Sequence, residues 1–246
     1  MRSEKKARAM DAPSLPSLPD GYRAIVIGAS GALGAALLAH LRADPRCALV
    51  IGLGRHTEPA LDLDDEPSIA RAAQLLAQQG PWHCIVHAAG VLHAPGMAPE
   101  KRLGQLNCRQ LEATFRINTF GPALVLAHFA PLLPRKERGL LAVLSAKVGS
   151  IGDNRLGGWY SYRASKAALN MLLKTAAIEV ARTHPQAVLA ALHPGTVDSA
   201  LSRPFGGERI GRPAPDAAAD LLRVLDGLDP EQTGRFYSYK GESLPW

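Results

Sequence analysis

Ala24-Ile25-Val26-Ile27-Gly28-Ala29-Ser30-Gly31-Ala32-Leu33-Gly34 passes from a short apolar, β-branched run directly into a glycine-rich turn, then into Ala/Leu-rich sequence reaching about Leu41. Apolar residues without alternation suit a strand buried on both faces, and the sequence after the turn suits a helix. A glycine-rich turn from strand to helix lets the main chain approach a phosphate, and the helix N-terminus stabilises the negative charge. How far this pattern repeats along the chain decides the architecture.

It repeats throughout. Ala48 to Gly52 reads as a strand, and Glu66 to Gln79 as a helix. Cys84-Ile85-Val86-His87 is a third strand, and the small residues Ala88-Ala89-Gly90 after it permit close approach of a ligand or another backbone. A long helical stretch runs from about Gly104 to Leu133, followed by a strand at Leu140 to Leu144 and a helix at Ala164 to Arg182. A strand at Ala187 to Leu192, a helix near Asp216 to Leu225 and a strand at Arg235 to Tyr239 complete the chain. Strict alternation of strand and helix predicts an α/β fold: a single-domain, Rossmann-type, doubly wound parallel sheet with helices on both faces and ligands at the carboxyl ends of the strands. Residues 1–22, with the run Ala-Pro-Ser-Leu-Pro-Ser-Leu-Pro, read as a disordered extension, and residues 23–246 as the dinucleotide-binding domain.

Composition narrows the partners. The formal charge is +6, but the bases are interleaved with acids, which fits the phosphates of a small cofactor better than a nucleic-acid stripe. Aromatic residues are only 5% of the chain, too few for a single-strand stacking platform. No apolar run has the length of a membrane span. Cys47, Cys84 and Cys108 are odd in number and share no metal-ligand spacing, so the expectation is reduced thiols, a cytoplasmic location and no metal.

Individual residues then acquire readings. Past the second strand lies Gly54-Arg55-His56, where an acid suits a ribose 2′-hydroxyl and an arginine suits a 2′-phosphate, so Arg55 favours NADP(H) over NAD(H). In Leu61-Asp62-Leu63, Asp62 either touches the adenine edge or begins a turn. His87 is either a hydrogen-bonded core histidine or a polar brace for the cofactor pocket. Tyr162 and Lys166 stand four apart and share a helix face. A phenol titrates near 10, and bringing it to neutrality takes about 4 kcal/mol, which a fixed cation can help to supply. Residues 202–215 are rich in Pro and Gly and form a loop long enough to cover a site.

Gly28 to Gly34, Ala88-Ala89-Gly90, Asn118, Ser145 ahead of Tyr162 and Lys166, and Pro194-Gly195 stand in one order, and with it the chain resembles the short-chain dehydrogenase/reductase family from about Arg23 to Trp246. Gly149-Ser150-Ile151, the Tyr162 to Lys166 stretch and Leu244-Pro245-Trp246 are most similar to the branch of C-factor and sniffer-like carbonyl reductases. The resemblance implies that Tyr162 is the general acid/base, that Lys166 binds the nicotinamide ribose and lowers the phenol pKa, and that Asn118 supports a relay water. It implies that Gly28, Ser30, Gly31, Leu33 and Gly34 form the pyrophosphate turn. Asp62 and Leu63 would lie by the adenine, Ala88, Ala89 and Gly90 by the adenosine ribose, and Pro194, Gly195, Thr196 and Val197 by the carboxamide. A carbonyl/alcohol oxidoreductase acting on a small apolar substrate, assembled as a homodimer or homotetramer, is the implied function. A C-factor-like signalling protein with weak or no catalysis is the alternative.

The chain departs from the family pattern in three places. Ala32 stands at the fifth position of the turn, where a glycine is usual, and His87 and Ala88 replace an asparagine pair. Ala146 stands where the family serine is expected, and Ser145 is one residue early. Ser145 is the orienting hydroxyl if a bulge after Leu144 re-aims it. Otherwise the site lacks a donor of a kind worth ~10²–10³ in kcat.

Overall fold

A computed structural model describes residues 14–246. Six strands form one parallel sheet, β1 (Tyr22–Ile27), β2 (Cys47–Leu53), β3 (Cys84–His87), β4 (Gly139–Leu144), β5 (Ala187–His193) and β6 (Arg235–Ser238), in the order β2-β1-β3-β4-β5-β6. Side chains alternate across this sheet as the pleat requires. Ile25, Ile27, Ile85, Leu141, Val143 and Leu189 face one layer, formed by α2 (Glu66–Ala77), the helical stretch near residues 108–132 and a later long helix. Ala24, Val26, Val86, Leu140, Ala142, Val188 and Leu192 face the other, formed by α1 (Ala32–Ala43) and a helix close to the C-terminus.

The long stretch expected over 104–133 is segmented. It comprises α3 (Cys108–Phe115), a π-turn (Arg116–Phe120) and α4 (Gly121–Phe129). A π-turn inserts a residue into the helical ladder, and such insertions recur at functional sites. Next come α5 (Tyr160–Val180), the short α6 (Gly207–Ile210) and α7 (Ala214–Asp226). Thus α5 starts four residues earlier than the sequence suggests, bringing Tyr162 into its first turn. The Pro/Gly-rich loop holds a 3₁₀ turn at Arg203–Phe205 as well as α6.

The extension expected over 1–22 needs correction. Residues 1–13 lie outside the described residues, whereas Leu15 and Leu18 are buried at 0% and 2% exposure in the layer of α1 and α7. The Leu15 amide donates to Asp44 (3.1 Å), Ser17 Oγ donates to Asp226 (2.5 Å), and Arg46 donates to the Leu15 and Leu18 carbonyls (2.9 and 2.7 Å). Pro-Ser-Leu repeats have linker composition, but here their leucines fill a hydrophobic groove.

Candidate active site

The site begins where β1 and β3 end side by side, because β2 lies on one flank of β1 and the later strands lie on the other. That reversal of direction opens a crevice at the strands' carboxyl ends. Gly28 has φ 84°, and a Cβ there would sit 2.7 Å from the Ala89 nitrogen. A Cβ on Gly34 would sit 2.1 Å from the Gly28 carbonyl oxygen. These two glycines are therefore demanded by packing, whereas Gly31 has an ordinary 3.5 Å clearance. Ser30, Gly31 and Ala32 are exposed, and α1 starts without a side-chain cap. Its first amides are thus available to an anion, and the exposed Ala32 methyl does not crowd the turn. This cradle fits the pyrophosphate of a dinucleotide.

The remaining predicted binding positions border the same end of the sheet. Arg55 is exposed just beyond β2. Asp62 does begin a turn, its carboxylate accepting from the Asp64 amide (3.1 Å). Leu63 is buried, and a Cβ on Gly121 would lie 2.7 Å from the Leu63 Cβ, so this loop rests directly on α4. The Ala88 amide donates to the Ile27 carbonyl (2.8 Å), and Gly90 is exposed beside Asn118 and Lys166, with its Cβ position 3.3 Å from Asn118 Oδ1 and 3.5 Å from Lys166 Nζ. After β5, Pro194 leads to Gly195 (φ 76°). The carbonyl of the exposed Thr196 accepts from the Arg212 amide (2.9 Å), and Val197 is buried. The Asp198 amide donates to the Arg212 carbonyl (2.9 Å), which closes the base of the 199–211 loop.

Asn118 sits in the π-turn, fully buried. Its amide clasps Val91 from both sides, accepting from the Val91 nitrogen (2.8 Å) and donating to its oxygen (2.7 Å). Lys166 Nζ donates to the Leu144 carbonyl (3.0 Å) and stands 6.0 Å from the centre of the Tyr162 ring. Burial pushes Lys166 down to about 8 and Tyr162 up to about 12. Both shifts come from burial alone, which disfavours the charged form of each side chain. Tyr162 makes no side-chain hydrogen bond among the described residues.

Ser145 is the clearest departure. Its amide continues the ladder to the Leu192 carbonyl (2.8 Å), with no bulge after Leu144, and its buried hydroxyl donates to Asn170 Oδ1 on α5 (2.6 Å). The pleat therefore turns Ser145 toward α5, and the orienting role expected of it is not supported. Ala146, partly exposed, takes the next position along the chain. His87 is buried in the core, and neither ring nitrogen has a partner among the described residues, so of its two readings the hydrogen-bonded core histidine is not supported. Burial and then the Lys166 charge push it down to about 3, which leaves the ring neutral.

Other residues enter the site without an individual reading from sequence. Asn170 is one turn beyond Lys166, and its Nδ2 has no partner among the described residues. Trp159, Phe205, His93 and the buried Glu100 flank Tyr162 or each other. The pair Gly157-Gly158, both with φ 64°, is the one local signal of an unusual turn ahead of Trp159. No local signal marks Glu100, whose partner is Ser161, 61 residues on. The described residues hold no cluster of three or more candidate metal ligands and no helix long and apolar enough to cross a membrane.

Residues 57–209 match the family model described as short chain dehydrogenase. The chain is 34% identical over 193 residues to the 1-hydroxy-2-glutathionyl-2-methyl-3-butene dehydrogenase of Rhodococcus sp. (strain AD45), spanning 78% of this chain and 81% of that protein. It is 38% identical over 168 residues to the C-signal protein of Myxococcus xanthus, spanning 68% of this chain and 94% of that one. Among solved structures, the NADPH-bound carbonyl reductase from chicken fatty liver aligns with a TM-score of 0.75 at 22% identity, covering 93% of this chain and 100% of that one. Carbonyl reductase Sniffer of D. melanogaster aligns with a TM-score of 0.77, also at 22% identity, covering 92% and 99%. At these identities the structural likeness is one of fold.

Proposed function

The chain belongs to the short-chain dehydrogenase family, and from that premise we propose that it is an NADP(H)-dependent oxidoreductase interconverting a carbonyl and an alcohol on a small, largely apolar substrate. The observation that carries this reading is the convergence of Tyr162, Lys166 and Asn118 on the crevice whose glycine cradle fits a pyrophosphate. Gly28, Ser30, Gly31, Leu33 and Gly34 would hold the pyrophosphate, Asp62 and Leu63 the adenine side, Ala88 to Gly90 the adenosine ribose, and Pro194 to Val197 the carboxamide. When bound, the nicotinamide supplies the hydride. Tyr162 gives its phenolic proton to the substrate oxygen in reduction and takes one in oxidation. A phenol held neutral by burial is in the protonation state that reduction requires. Lys166 anchors the nicotinamide ribose, while Asn118 holds the Val91 segment after β3 in place for a relay water. In an assay with NADPH and a panel of aldehydes, ketones and quinones, carbonyl-dependent NADPH oxidation is the expected result.

The reading extends to cofactor choice and assembly. Arg55, exposed at the end of β2, would meet the 2′-phosphate. Arg55→Ala is expected to raise KM for NADPH ~10–100-fold, the worth of a charge-assisted hydrogen bond, with little change for NADH. Steady-state kinetics with the two cofactors would check this. Exposed Phe120, Met171, Leu172 and Ile178 on the π-turn and α5 support a homodimer or homotetramer.

One observation favours a second reading. With Ser145 turned to Asn170 and Ala146 beside it, neither position offers a hydroxyl to the substrate, as in a dinucleotide-binding signalling protein with weak or no catalysis. Tight NADPH binding without turnover across the panel would select that reading.

A further inference from the structure

Trp159 is the one non-glycine residue with positive φ among the described residues, at φ 53° and ψ 42°. A bulky side chain in this left-handed region is strained, and such strain persists where the surroundings fix it. Glu100 is the fixing group. It is 2% exposed, its carbonyl accepts the Trp159 amide, and its carboxylate accepts both the Ser161 amide (3.1 Å) and the Ser161 hydroxyl. A carboxylate at the positive end of α5 holds the backbone that carries Trp159.

The held indole faces two other rings. Its centre is 6.2 Å from that of Tyr162 at 74°, and 5.2 Å from that of Phe205 at 61°. Phe205 in turn lies 5.7 Å from His93, whose Nε2 is 3.1 Å from the Ala200 carbonyl. Phe205 belongs to the 3₁₀ turn of the 199–211 loop, whose base is closed by Arg212. Three separate segments thus supply an edge-to-face file of rings that ends at the catalytic phenol. Trp159, Phe205 and His93 are each only partly buried, so the file keeps accessible ring surface.

We propose that Trp159 and Phe205 are specificity-determining residues that take the flat face of an aromatic group bonded directly to the substrate's carbonyl carbon, with Glu100 as a positioning residue acting through Trp159. The proposal rests on the oxidoreductase reading above. Aromatic rings gain from offset and edge-to-face packing beyond simple burial, whereas a saturated ring of similar size gains only burial. With Ser145 engaged elsewhere, such packing orients the substrate where a hydroxyl does not.

The test compares benzaldehyde with cyclohexanecarbaldehyde, using NADPH and the full chain. The wild type should favour benzaldehyde in kcat/KM by about tenfold, although conjugation makes it the less electrophilic aldehyde. Trp159→Gly, which removes ring and strain together, should bring the ratio close to one, as should Phe205→Leu, a change that leaves the α5 backbone and its N-terminus untouched. A ratio unmoved in both folded variants would overturn the proposal. If the wild type consumes neither aldehyde, the oxidoreductase reading falls first. Ligand-observed NMR with benzyl alcohol and cyclohexylmethanol in the presence of NADPH then decides the ring site. Preference for benzyl alcohol that vanishes in Trp159→Gly supports it, and equal binding overturns it.

Discussion

Tyr162→Phe is expected to lower kcat for carbonyl reduction by ~10²–10⁴, the range for loss of a positioned general acid. The upper part of that range is the better expectation, because neighbouring groups are poorly placed to substitute. Ser145 donates to Asn170, Ala146 has no donor in its side chain, and Ser150 Oγ is buried, accepting from the Asp153 amide. Lys166 Nζ donates to the Leu144 carbonyl and stands 6.0 Å from the centre of the Tyr162 ring. Phenylalanine keeps the ring contact with Trp159, so packing should survive. Single-turnover rates alongside NADPH fluorescence titration would check this, with kcat falling far more than cofactor affinity. Equal turnover by the two proteins would remove Tyr162 from the mechanism.

Gly34→Ala should have the largest effect on stability. The new methyl would stand 2.1 Å from the Gly28 carbonyl oxygen and 2.8 Å from its carbon, and no rotamer relieves a clash between two stretches of backbone. Overpacking of this kind costs about 1–3 kcal/mol and sometimes more. At roughly 2–4 °C per kcal/mol for a chain of this size, a 3 kcal/mol loss lowers Tm by about 6–12 °C. Gly31→Ala is the internal comparison. Its methyl meets ordinary clearance at 3.5 Å, so only a difference in capping preference remains, within about 1 kcal/mol. Calorimetry on both variants without cofactor should separate them clearly, and similar Tm values would mean that the turn is looser than its packing implies.

What the residues announced and what they concealed follow from the range of the interactions involved. Strand and helix alternation, the Gly28 to Gly34 turn and the Tyr162/Lys166 pair are local patterns, and all stand where local rules put them. The direction of Ser145 depends on the absence of one bulge, which a neighbouring strand decides. His87 has sound strand-end surroundings, yet its lack of partners among the described residues is a property of everything packed around it. Glu100 and Trp159 meet only because a loop brings the acid to the first turn of α5. Leu15 and Leu18 were concealed for the same reason, since prolines and serines set the local character while distant helices provide the groove.

That N-terminal clasp also orders events in time. Leu15 is joined to Asp44 across 29 residues, but Ser17 is joined to Asp226 across 209. At ~5–20 residues per second, a ribosome takes roughly 10–40 s to advance from one member of the second pair to the other. The clasp therefore has an early half, available once Asp44 and Arg46 have emerged, and a late half that waits until Asp226 has emerged. Its closure on α7 therefore comes only after β1 to β5 have all been made, an order set by where in the chain its two halves lie.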